Sequence, residues 1–138
     1  MMEQASETTA EIVEDAILGG RLRLRQPARG HRAGTDAVLL AAAVGLAEGV
    51  LCDAGAGVGS VGLAAALTRP ALRVTLIERD PLAATLARAN VALNGLEDRA
   101  RVIEADLTKA SARRAAGLED GFADCLATNP PWLAPTRA

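Results

Sequence analysis

The sequence predicts an α/β protein with a parallel sheet, and two observations support that fold class. From residue 50 onward, short apolar runs typical of buried strands alternate with longer runs typical of helices. Glycine-rich, acidic or proline-rich segments follow those apolar runs directly, and parallel sheets bind ligands where their strands end. The chain has 138 residues and is 50% hydrophobic, which is enough for one domain with a substantial core.

The alternation of leucine and arginine after residue 20 predicts a β-hairpin. Gly19 and Gly20 would make its turn, because glycine adopts the backbone angles that tight hairpin turns need. The period of two would direct Leu22 and Leu24 toward the core and the intervening arginines toward solvent.

Residues 35–47 are rich in alanine and leucine and suit a helix with Thr35 as its N-cap. We expect the hairpin and this helix to form an N-terminal extension over residues 1–48. The alternating part of the chain would then form a domain over residues 49–138.

Four strands and three helices are predicted in the alternating part. The strands are expected at residues 50–52, 73–77, 100–105 and 122–129. The helices are expected from the glycine loop to about Thr68, at residues 81–93 and at residues 108–116. The second of these helices has the clearest boundaries. Asp80 and Pro81 suit its N-cap and first turn, and Asn94 and Gly95 suit its end.

The net charge identifies no partner, but the arginines are unevenly distributed. A net charge of -2 gives no overall attraction to nucleic acid. A short stretch nevertheless holds five arginines: Arg21, Arg23, Arg25, Arg29 and Arg32. Such a cluster is typical of a face that binds RNA phosphates, and equally typical of a solvated strand face.

Cys52 and Cys125 lie in apolar runs without the spacing of metal ligands, so we expect two buried, reduced thiols and no metal. The first ten residues are polar and acidic, unlike a signal peptide. The apolar run at residues 37–47 is too short to cross a bilayer. These features favour a cytoplasmic protein that does not enter the membrane.

The first strand is followed by a glycine loop with the sequence DAGAGVGSVGL, which begins with Asp53. Gly55, Gly57 and Gly59 would let the backbone turn sharply and let a ligand approach closely. The segment GVGSVG also fits the G-x-G-x-x-G pattern of dinucleotide sites, so a nicotinamide oxidoreductase is an alternative.

The position of Asp53 argues against a dinucleotide. The glycine pattern begins four residues after this acid, whereas dinucleotide loops begin with glycine at the strand end. A carboxylate is also a poor neighbour for a pyrophosphate and a good one for a cation. S-adenosylmethionine carries a sulfonium and an ammonium group and no phosphate, so it suits this loop. The alternative is that Asp53 caps amides of the loop.

Acids also follow the next two strands. Glu78 ends the second strand, where a carboxylate accepts hydrogen bonds from both ribose hydroxyls. Asp106 follows the third strand, where it would accept from an adenine amino group or cap the next helix. Both residues therefore support a nucleoside ligand.

The fourth strand runs into the sequence NPPW, residues 129–132. The Asn129 side-chain oxygen and the Pro130 carbonyl would accept both hydrogens of an amine and direct its lone pair at a methyl donor. The two prolines fix the backbone and supply no competing N–H group. Trp132 would stack on a flat substrate. The alternative is a proline turn with Trp132 as a core residue.

Together these motifs resemble those of the Rossmann-like S-adenosylmethionine-dependent methyltransferases. NPPW is similar to the (N/D)PP(Y/F/W) signature of enzymes that methylate adenine N6, glutamine N5 or guanine N2. The resemblance implies a three-layer fold with a parallel sheet in the strand order 3-2-1-4. It implies catalytic roles for Asn129, Pro130, Pro131 and Trp132. It implies cofactor contacts for Asp53, Gly55, Ala56, Gly57, Gly59, Glu78, Arg79, Asp106, Leu107 and Asn129.

Residues 17–44 narrow the resemblance to bacterial adenine-N6 methyltransferases that act on valine tRNA. This resemblance implies that Gln26, Thr35 and Asp36 lie near the cofactor or the target base. It makes tRNA adenine the expected acceptor, with protein glutamine or ribosomal RNA guanine as alternatives.

Methyltransferases of this kind continue with further strands beyond the fourth. We therefore expect a truncated chain whose fourth strand is covered by a missing C-terminal half or by a second copy in a homodimer. A cofactor-binding remnant without catalysis is a further alternative.

Overall fold

The computed structural model describes residues 11–30 and 32–130. Its elements, numbered in chain order, are β1 Ile12–Ile17, β2 Leu22–Pro27, α1 Thr35–Ala43, β3 Glu48–Ala54, α2 Ser60–Thr68, β4 Ala71–Glu78, α3 Pro81–Leu93, β5 Ala100–Glu104, α4 Ala110–Ala115 and β6 Cys125–Thr128. None of the helices in these residues is long and apolar enough to cross a membrane.

The main sheet contains four parallel strands in the order β5-β4-β3-β6. This order confirms the α/β fold class and the predicted order 3-2-1-4. The register pairs Ala54 with Ile77 on one side and with Thr128 on the other, and it pairs Glu78 with Glu104. The segments after these strands therefore meet along one edge of the sheet.

Apolar residues cover both faces of the sheet, which gives the predicted three layers. Leu51, Val74 and Leu76 face a core that contains Leu63 of α2 and Ala87 of α3. On the opposite face, Cys52 and Ile77 pack against Leu118, which follows α4. Successive strand residues alternate between these two cores because side chains alternate across a strand.

The hairpin forms as predicted, with β1 and β2 antiparallel around the turn. Leu22 and Leu24 are fully buried in the same core as α2, and the arginines beside them are exposed. The turn begins one residue before the predicted glycines, because Leu18, Gly19 and Gly20 all have positive φ angles, of 57°, 62° and 83°.

Asn90 of α3 and Asn94, the residue that caps the end of this helix, bind the edge of β2 that faces away from β1. The Asn94 side chain accepts from the Arg23 amide at 3.0 Å and donates to the Arg23 carbonyl at 2.8 Å. Asn90 pairs in the same way with the Arg25 amide at 2.7 Å and the Arg25 carbonyl at 3.0 Å. These side chains take the place of a neighbouring strand, so the hairpin is fixed to the helix.

The prediction that Thr35 caps α1 was wrong. Gly34 is the N-cap, and it makes no side-chain capping bond. The Ala33 amide instead donates to Gln26 Oε1 at 2.9 Å, so a contact with β2 sets the entry into the helix. α1 also ends earlier than predicted, at Ala43, because the chain turns there and Arg69 Nη2 donates to the Val44 carbonyl at 2.8 Å.

Further boundaries differ from the predictions, and β4 is among them, since it spans Ala71–Glu78 rather than residues 73–77. α4 begins at Ala110 rather than at Thr108, because the Thr108 amide and hydroxyl both donate to Asp106 Oδ1 and form a separate turn. β3 is longer than residues 50–52, and β6 is shorter than residues 122–129. Pairing in β6 starts only at Cys125, since the carboxylate of Asp124 binds the Val50 amide just before it.

The prediction of two buried thiols is confirmed for one cysteine. Cys52 is 1% exposed in the middle of the sheet, whereas Cys125 is only half-buried. Cys125 lies on β6, which is the outer strand of the sheet in the described residues, so one side of it lacks a neighbouring strand.

Candidate functional site

The glycine loop joins the end of β3 to α2 and is held in a left-handed conformation. Gly55, Gly57 and Gly59 have φ angles of 68°, 58° and 97°. A side chain at Gly59 would press on Leu63 and Leu76 in the core, at 3.2 and 3.1 Å. A Cβ at Gly55 or Gly57 would meet no atom within 4 Å, so these two glycines border open space.

Asp53 is the last buried residue of β3 and lies just before this loop. Its side chain is 1% exposed, and its Oδ2 accepts from the Gly62 amide of α2 at 3.0 Å. Burial raises the pKa of Asp53 to about 6, the Gly62 bond opposes that rise, and the charge of Glu78 adds to it. Asp53 therefore binds an amide in the first turn of α2 rather than one in the loop, and it also lines the main cavity described below.

Glu78 ends β4 and is bound by two backbone amides. Its Oε1 accepts from the Gly57 amide at 2.9 Å, and its Oε2 accepts from the Asp80 amide at 2.8 Å. Each carboxylate oxygen keeps a second lone pair after these bonds. Glu78 is thus held in one orientation while it can still accept hydrogen bonds from a diol.

A cavity of about 440 Å³, here called the main cavity, lies over the glycine loop. It is bordered by seven of the residues that the sequence predicts: Gln26, Asp53, Gly55, Ala56, Gly57, Glu78 and Asn129. These residues come from β2, the end of β3 and the glycine loop after it, the end of β4 and the segment after β6. The ends of β3, β4 and β6 therefore converge on this cavity, as predicted. Gly59 does not border this cavity, and its role is to pack the loop on the core.

A second cavity, of about 510 Å³ and here called the side cavity, shares Gly55, Glu78 and Asp80 with the main cavity. It is bordered by the other predicted cofactor residues, Arg79, Asp106 and Leu107, and by Thr128 and Pro130. The Asp106 side chain binds the hydroxyl of Thr108 at 2.6 Å and its amide at 3.0 Å, and these bonds lower the pKa of Asp106. Asp106 closes a turn and does not cap α4, whose N-cap is Lys109.

Asn129 and Pro130 follow β6, and Pro130 borders the side cavity. Asn129 is half-buried and borders both the main cavity and a small cavity of about 150 Å³. The small cavity is also bordered by Thr35 and Asp36 at the start of α1. The structure therefore brings these three predicted site residues together. Pro131 and Trp132 lie outside the described residues.

Gln26 borders the main cavity but uses both ends of its amide for protein contacts. Its Nε2 donates to Asp15 Oδ2 at 2.6 Å, and its Oε1 accepts from the Ala33 amide. Arg32 also binds Asp15, and the bonds from Arg32 and Gln26 lower the pKa of Asp15. This network fixes the segment between β2 and α1 beside the cavity.

The arginines of the hairpin and of the segment after it present less uncompensated charge than their sequence predicts. Arg23 and Arg25 both lie against Glu14 of β1, at 2.5 and 3.7 Å, and Arg32 lies against Asp15 at 2.5 Å. The sequence analysis missed these acids because their pairing depends on the hairpin register, which sets Glu14 opposite Arg25. It also missed Asn90, which is fully buried on α3 and whose only sequence signal is a polar residue amid apolar ones.

The residues at the strand ends fit S-adenosylmethionine. Glu78 offers a fixed carboxylate for a ribose diol, and the buried acid Asp53 suits a cationic group. Gly55 and Gly57 leave space where a side chain would enter the cavity. The glycine loop lets a nucleoside ligand approach the backbone closely. Among the described residues that border the main cavity, the charged side chains are acids and none is an arginine.

This fold and this set of strand-end residues define a Rossmann-like S-adenosylmethionine-dependent methyltransferase. The sequence model of the methyltransferase small domain family matches residues 32–137. The chain therefore belongs to the methyltransferase small domain family, and the predicted class and cofactor are confirmed.

Several curated proteins are similar to the chain. The tRNA1(Val) (adenine(37)-N6)-methyltransferase of Porphyromonas gingivalis is 37% identical over 107 residues, which cover 74% of this chain and 41% of that protein. The tRNA1(Val) (adenine(37)-N6)-methyltransferase of Shewanella amazonensis is 46% identical over 101 residues, which cover 72% of this chain and 40% of that protein. A release factor glutamine methyltransferase of Chlorobaculum tepidum is 36% identical over 83 residues, 60% of this chain and 27% of that protein. The chain thus spans less than half the length of these relatives.

Among solved structures, a predicted O-methyltransferase, protein Atu636, from Agrobacterium tumefaciens is similar, with a TM-score of 0.63 and 39% identity. The match covers 70% of this chain and 49% of that one. This similarity agrees with the α/β fold described above.

Proposed function

We propose that the protein is an N-methyltransferase that acts on an exocyclic amino group, with adenine N6 in tRNA as the acceptor. The observation that carries this proposal is the position of Asn129 where the main cavity meets the small cavity beside Thr35 and Asp36. An amide side chain at such a junction stands between a cofactor on one side and an acceptor group on the other.

The chemistry requires orientation more than proton removal. The lone pair of an exocyclic amine is delocalised, so the amine must be turned toward the methyl group. Asn129 Oδ1 and the Pro130 carbonyl would accept its two hydrogens, and prolines supply no competing donor. Trp132, by the sequence motif, would stack on the base. Catalysis would then rest on positioning in a site that excludes water, with no strong base.

The cofactor contacts divide between the two large cavities. We assign the ribose to Glu78, which borders both, and the adenine to the side cavity with Arg79, Asp106 and Leu107. Asp53 and the glycine loop, with Gln26 on the opposite wall, would receive the methionine part. S-adenosylmethionine supplies an electrophilic methyl group when it is bound there.

The choice of tRNA adenine rests on the names of two relatives and on the arginine cluster of the hairpin. The relatives are called tRNA1(Val) (adenine(37)-N6)-methyltransferases. Arg21 and Arg29 add to the three ion-paired arginines on the same segment. Such a face would bind phosphates with an affinity that falls as salt rises. A base in an anticodon loop would have to swing out to reach Asn129. A tRNA substrate would place the reaction in the cytoplasm.

Protein glutamine is a second candidate acceptor. The release factor glutamine methyltransferase among the relatives favours it, and Asn129 with Pro130 would orient an amide nitrogen equally well. The pairing of Arg23 and Arg32 with acids reduces the electrostatic argument for RNA. A cofactor-binding role without catalysis remains the alternative from a different class.

Two measurements test the proposal in order. Calorimetric titration with S-adenosylmethionine, with NADH as the control ligand, tests the cofactor site, and we expect binding of the first alone. Transfer of a labelled methyl group to bulk tRNA lacking the modification, followed by nucleoside mass spectrometry, tests the acceptor. We expect N6-methyladenosine from the unmodified protein and none from Asn129→Ala.

Two outcomes would favour the alternatives. Labelling of release factor but not of tRNA would favour the glutamine acceptor. Binding of S-adenosylmethionine without transfer of the label to either acceptor would favour a non-catalytic role.

A further inference from the structure

The side chain of Asn90 joins helix α3 to strand β2 and to the glycine loop. It lies on α3 and is 0% exposed. Besides its two bonds to the Arg25 backbone, its Nδ2 donates to the Val58 carbonyl of the glycine loop at 2.9 Å. Both hydrogens of the amide nitrogen are donated and the amide oxygen accepts one bond, so the side chain has one orientation.

Asn90 holds one wall of the main cavity directly, at Val58, and another through Arg25, the neighbour of the cavity residue Gln26. Val58 borders the cavity from the glycine loop, and Gln26, the residue after Arg25, borders it from β2. These walls are more than thirty positions apart in the sequence, and Asn90 bonds Val58 and Arg25 with distances of 2.7 to 3.0 Å. A change in the position of this side chain would change the spacing of the walls.

We propose that Asn90 is a positioning residue of the cofactor site: it fixes the glycine loop relative to the hairpin and so holds the main cavity in its binding geometry. The proposal rests on the cofactor assignment made above. Asn90 does not border the main cavity, so its effect on binding is indirect. A loop already fixed at Val58 loses less conformational freedom when a ligand binds, and this raises affinity.

Asn94 provides a matched control one helical turn away. It makes the same pair of bonds to a β2 residue, Arg23, as Asn90 makes to Arg25. Its third bond goes to the carbonyl of Asn90 in its own helix, at 2.7 Å, and not to the glycine loop. Truncation of either residue weakens the attachment of the hairpin, but only truncation of Asn90 releases Val58.

The test compares Asn90→Ala with Asn94→Ala in the full chain by calorimetric titration with S-adenosylmethionine, at a temperature where thermal melts show both variants folded. We expect Asn90→Ala to weaken binding at least tenfold and Asn94→Ala to change it less than threefold. Equal losses in the two variants, or no loss in Asn90→Ala, would overturn the proposal while leaving the cofactor assignment intact. If Asn90→Ala does not fold, Asn90→Ser and Asn94→Ser replace the pair, because the single hydroxyl donor of serine cannot bond the Arg25 and Val58 carbonyls together.

Amide hydrogen exchange without ligand separates failure of this proposal from failure of the cofactor assignment. Asn90→Ala should speed exchange in a peptide covering residues 54–63, and Asn94→Ala should leave that peptide as in the unmodified protein. Faster exchange with no S-adenosylmethionine binding by any form would preserve the role of Asn90 in the loop and reject the cofactor. Unchanged exchange in Asn90→Ala would reject the role of Asn90 whatever the protein binds.

Discussion

Asp53 Oδ2 accepts a hydrogen bond from the Gly62 amide at 3.0 Å, and this bond forms where α2 lies directly against β4. A Cβ at Gly62 would stand 2.4 Å from Leu76 Cδ2 and 2.7 Å from Val74 Cγ1. The acid and the glycine therefore depend on each other, because the bond to Asp53 requires a helix that approaches the sheet more closely than any side chain at position 62 allows.

Replacing Gly62 by alanine should destabilise the protein. The new methyl group would overlap two fully packed core side chains, and overpacking of this kind costs about 1–3 kcal/mol. Urea unfolding followed by circular dichroism measures the change. Gly45→Ala is the matched control, because no atom lies within 4 Å of a Cβ at Gly45. A free energy of unfolding that falls equally in the two variants would contradict the close packing of α2 on β4.

The stability of the protein should depend on pH through Asp53. Its pKa is raised to about 6 in the folded state from an ordinary value of 3.8, so the folded state binds the proton more tightly than the unfolded state does. Ionisation of this buried group therefore lowers stability as pH rises from 4 through 6. The loss attributable to this group is on the order of 3 kcal/mol by pH 7.

Asp53→Asn isolates this effect, since asparagine keeps an acceptor for the Gly62 amide and does not ionise. We expect the variant to gain stability relative to the unmodified protein as pH rises from 4 to 7, as measured by urea unfolding at each pH. A constant difference between the two proteins across this range would show that Asp53 ionises normally. The same substitution should weaken S-adenosylmethionine binding if Asp53 serves a cationic group, so stability and affinity should change in opposite directions.

The fold was predictable from the sequence because its signals are local. The parallel sheet follows from alternating apolar runs, whereas its strand order was implied by the family resemblance. The turn between β1 and β2 follows from glycines whose φ angles are positive. The convergence of Asp53, Glu78 and Asn129 on one cavity was equally predictable, since all three follow strands of one parallel sheet.

What the sequence did not predict depends on contacts between distant residues. Asn90 bonds Arg25 across 65 positions, and Arg69 bonds the end of α1 across 25. Gly34 replaces Thr35 as the cap of α1 because the Ala33 amide is already bound to Gln26. No periodicity or capping preference encodes such contacts, since each requires the tertiary structure to bring its partners together.

The two cysteines should differ in reactivity toward a thiol reagent. Burial raises the pKa of Cys52 to about 11, and its side chain is 1% exposed, so little thiolate is present or accessible at neutral pH. Cys125 is half-buried on the outer strand of the described sheet. Ellman's reagent should therefore modify one thiol per native chain quickly and both after denaturation. Fast modification of Cys125→Ser in its native state would contradict the burial of Cys52.

Glu78 and Glu104 form a matched pair for testing the ribose assignment. They lie opposite each other in the register of β4 and β5, so both are acids at the same level of the sheet. Only Glu78 borders the main and side cavities and accepts from the Gly57 amide, whereas Glu104 is exposed with one long contact, 3.9 Å, to Arg88.

Glu78→Ala should weaken S-adenosylmethionine binding by roughly tenfold to a hundredfold, because a charged acceptor for a hydroxyl contributes about 1.5–3 kcal/mol. Glu104→Ala should leave the dissociation constant within a factor of two, as measured by calorimetric titration. Glu78→Gln keeps an oxygen at the same distance from the Gly57 amide but loses the charge, so its affinity should lie between those of Glu78→Ala and the unmodified protein. Equal affinities for Glu78→Ala and Glu104→Ala would mean that Glu78 only holds the glycine loop, and that the nucleoside lies elsewhere along the strand ends.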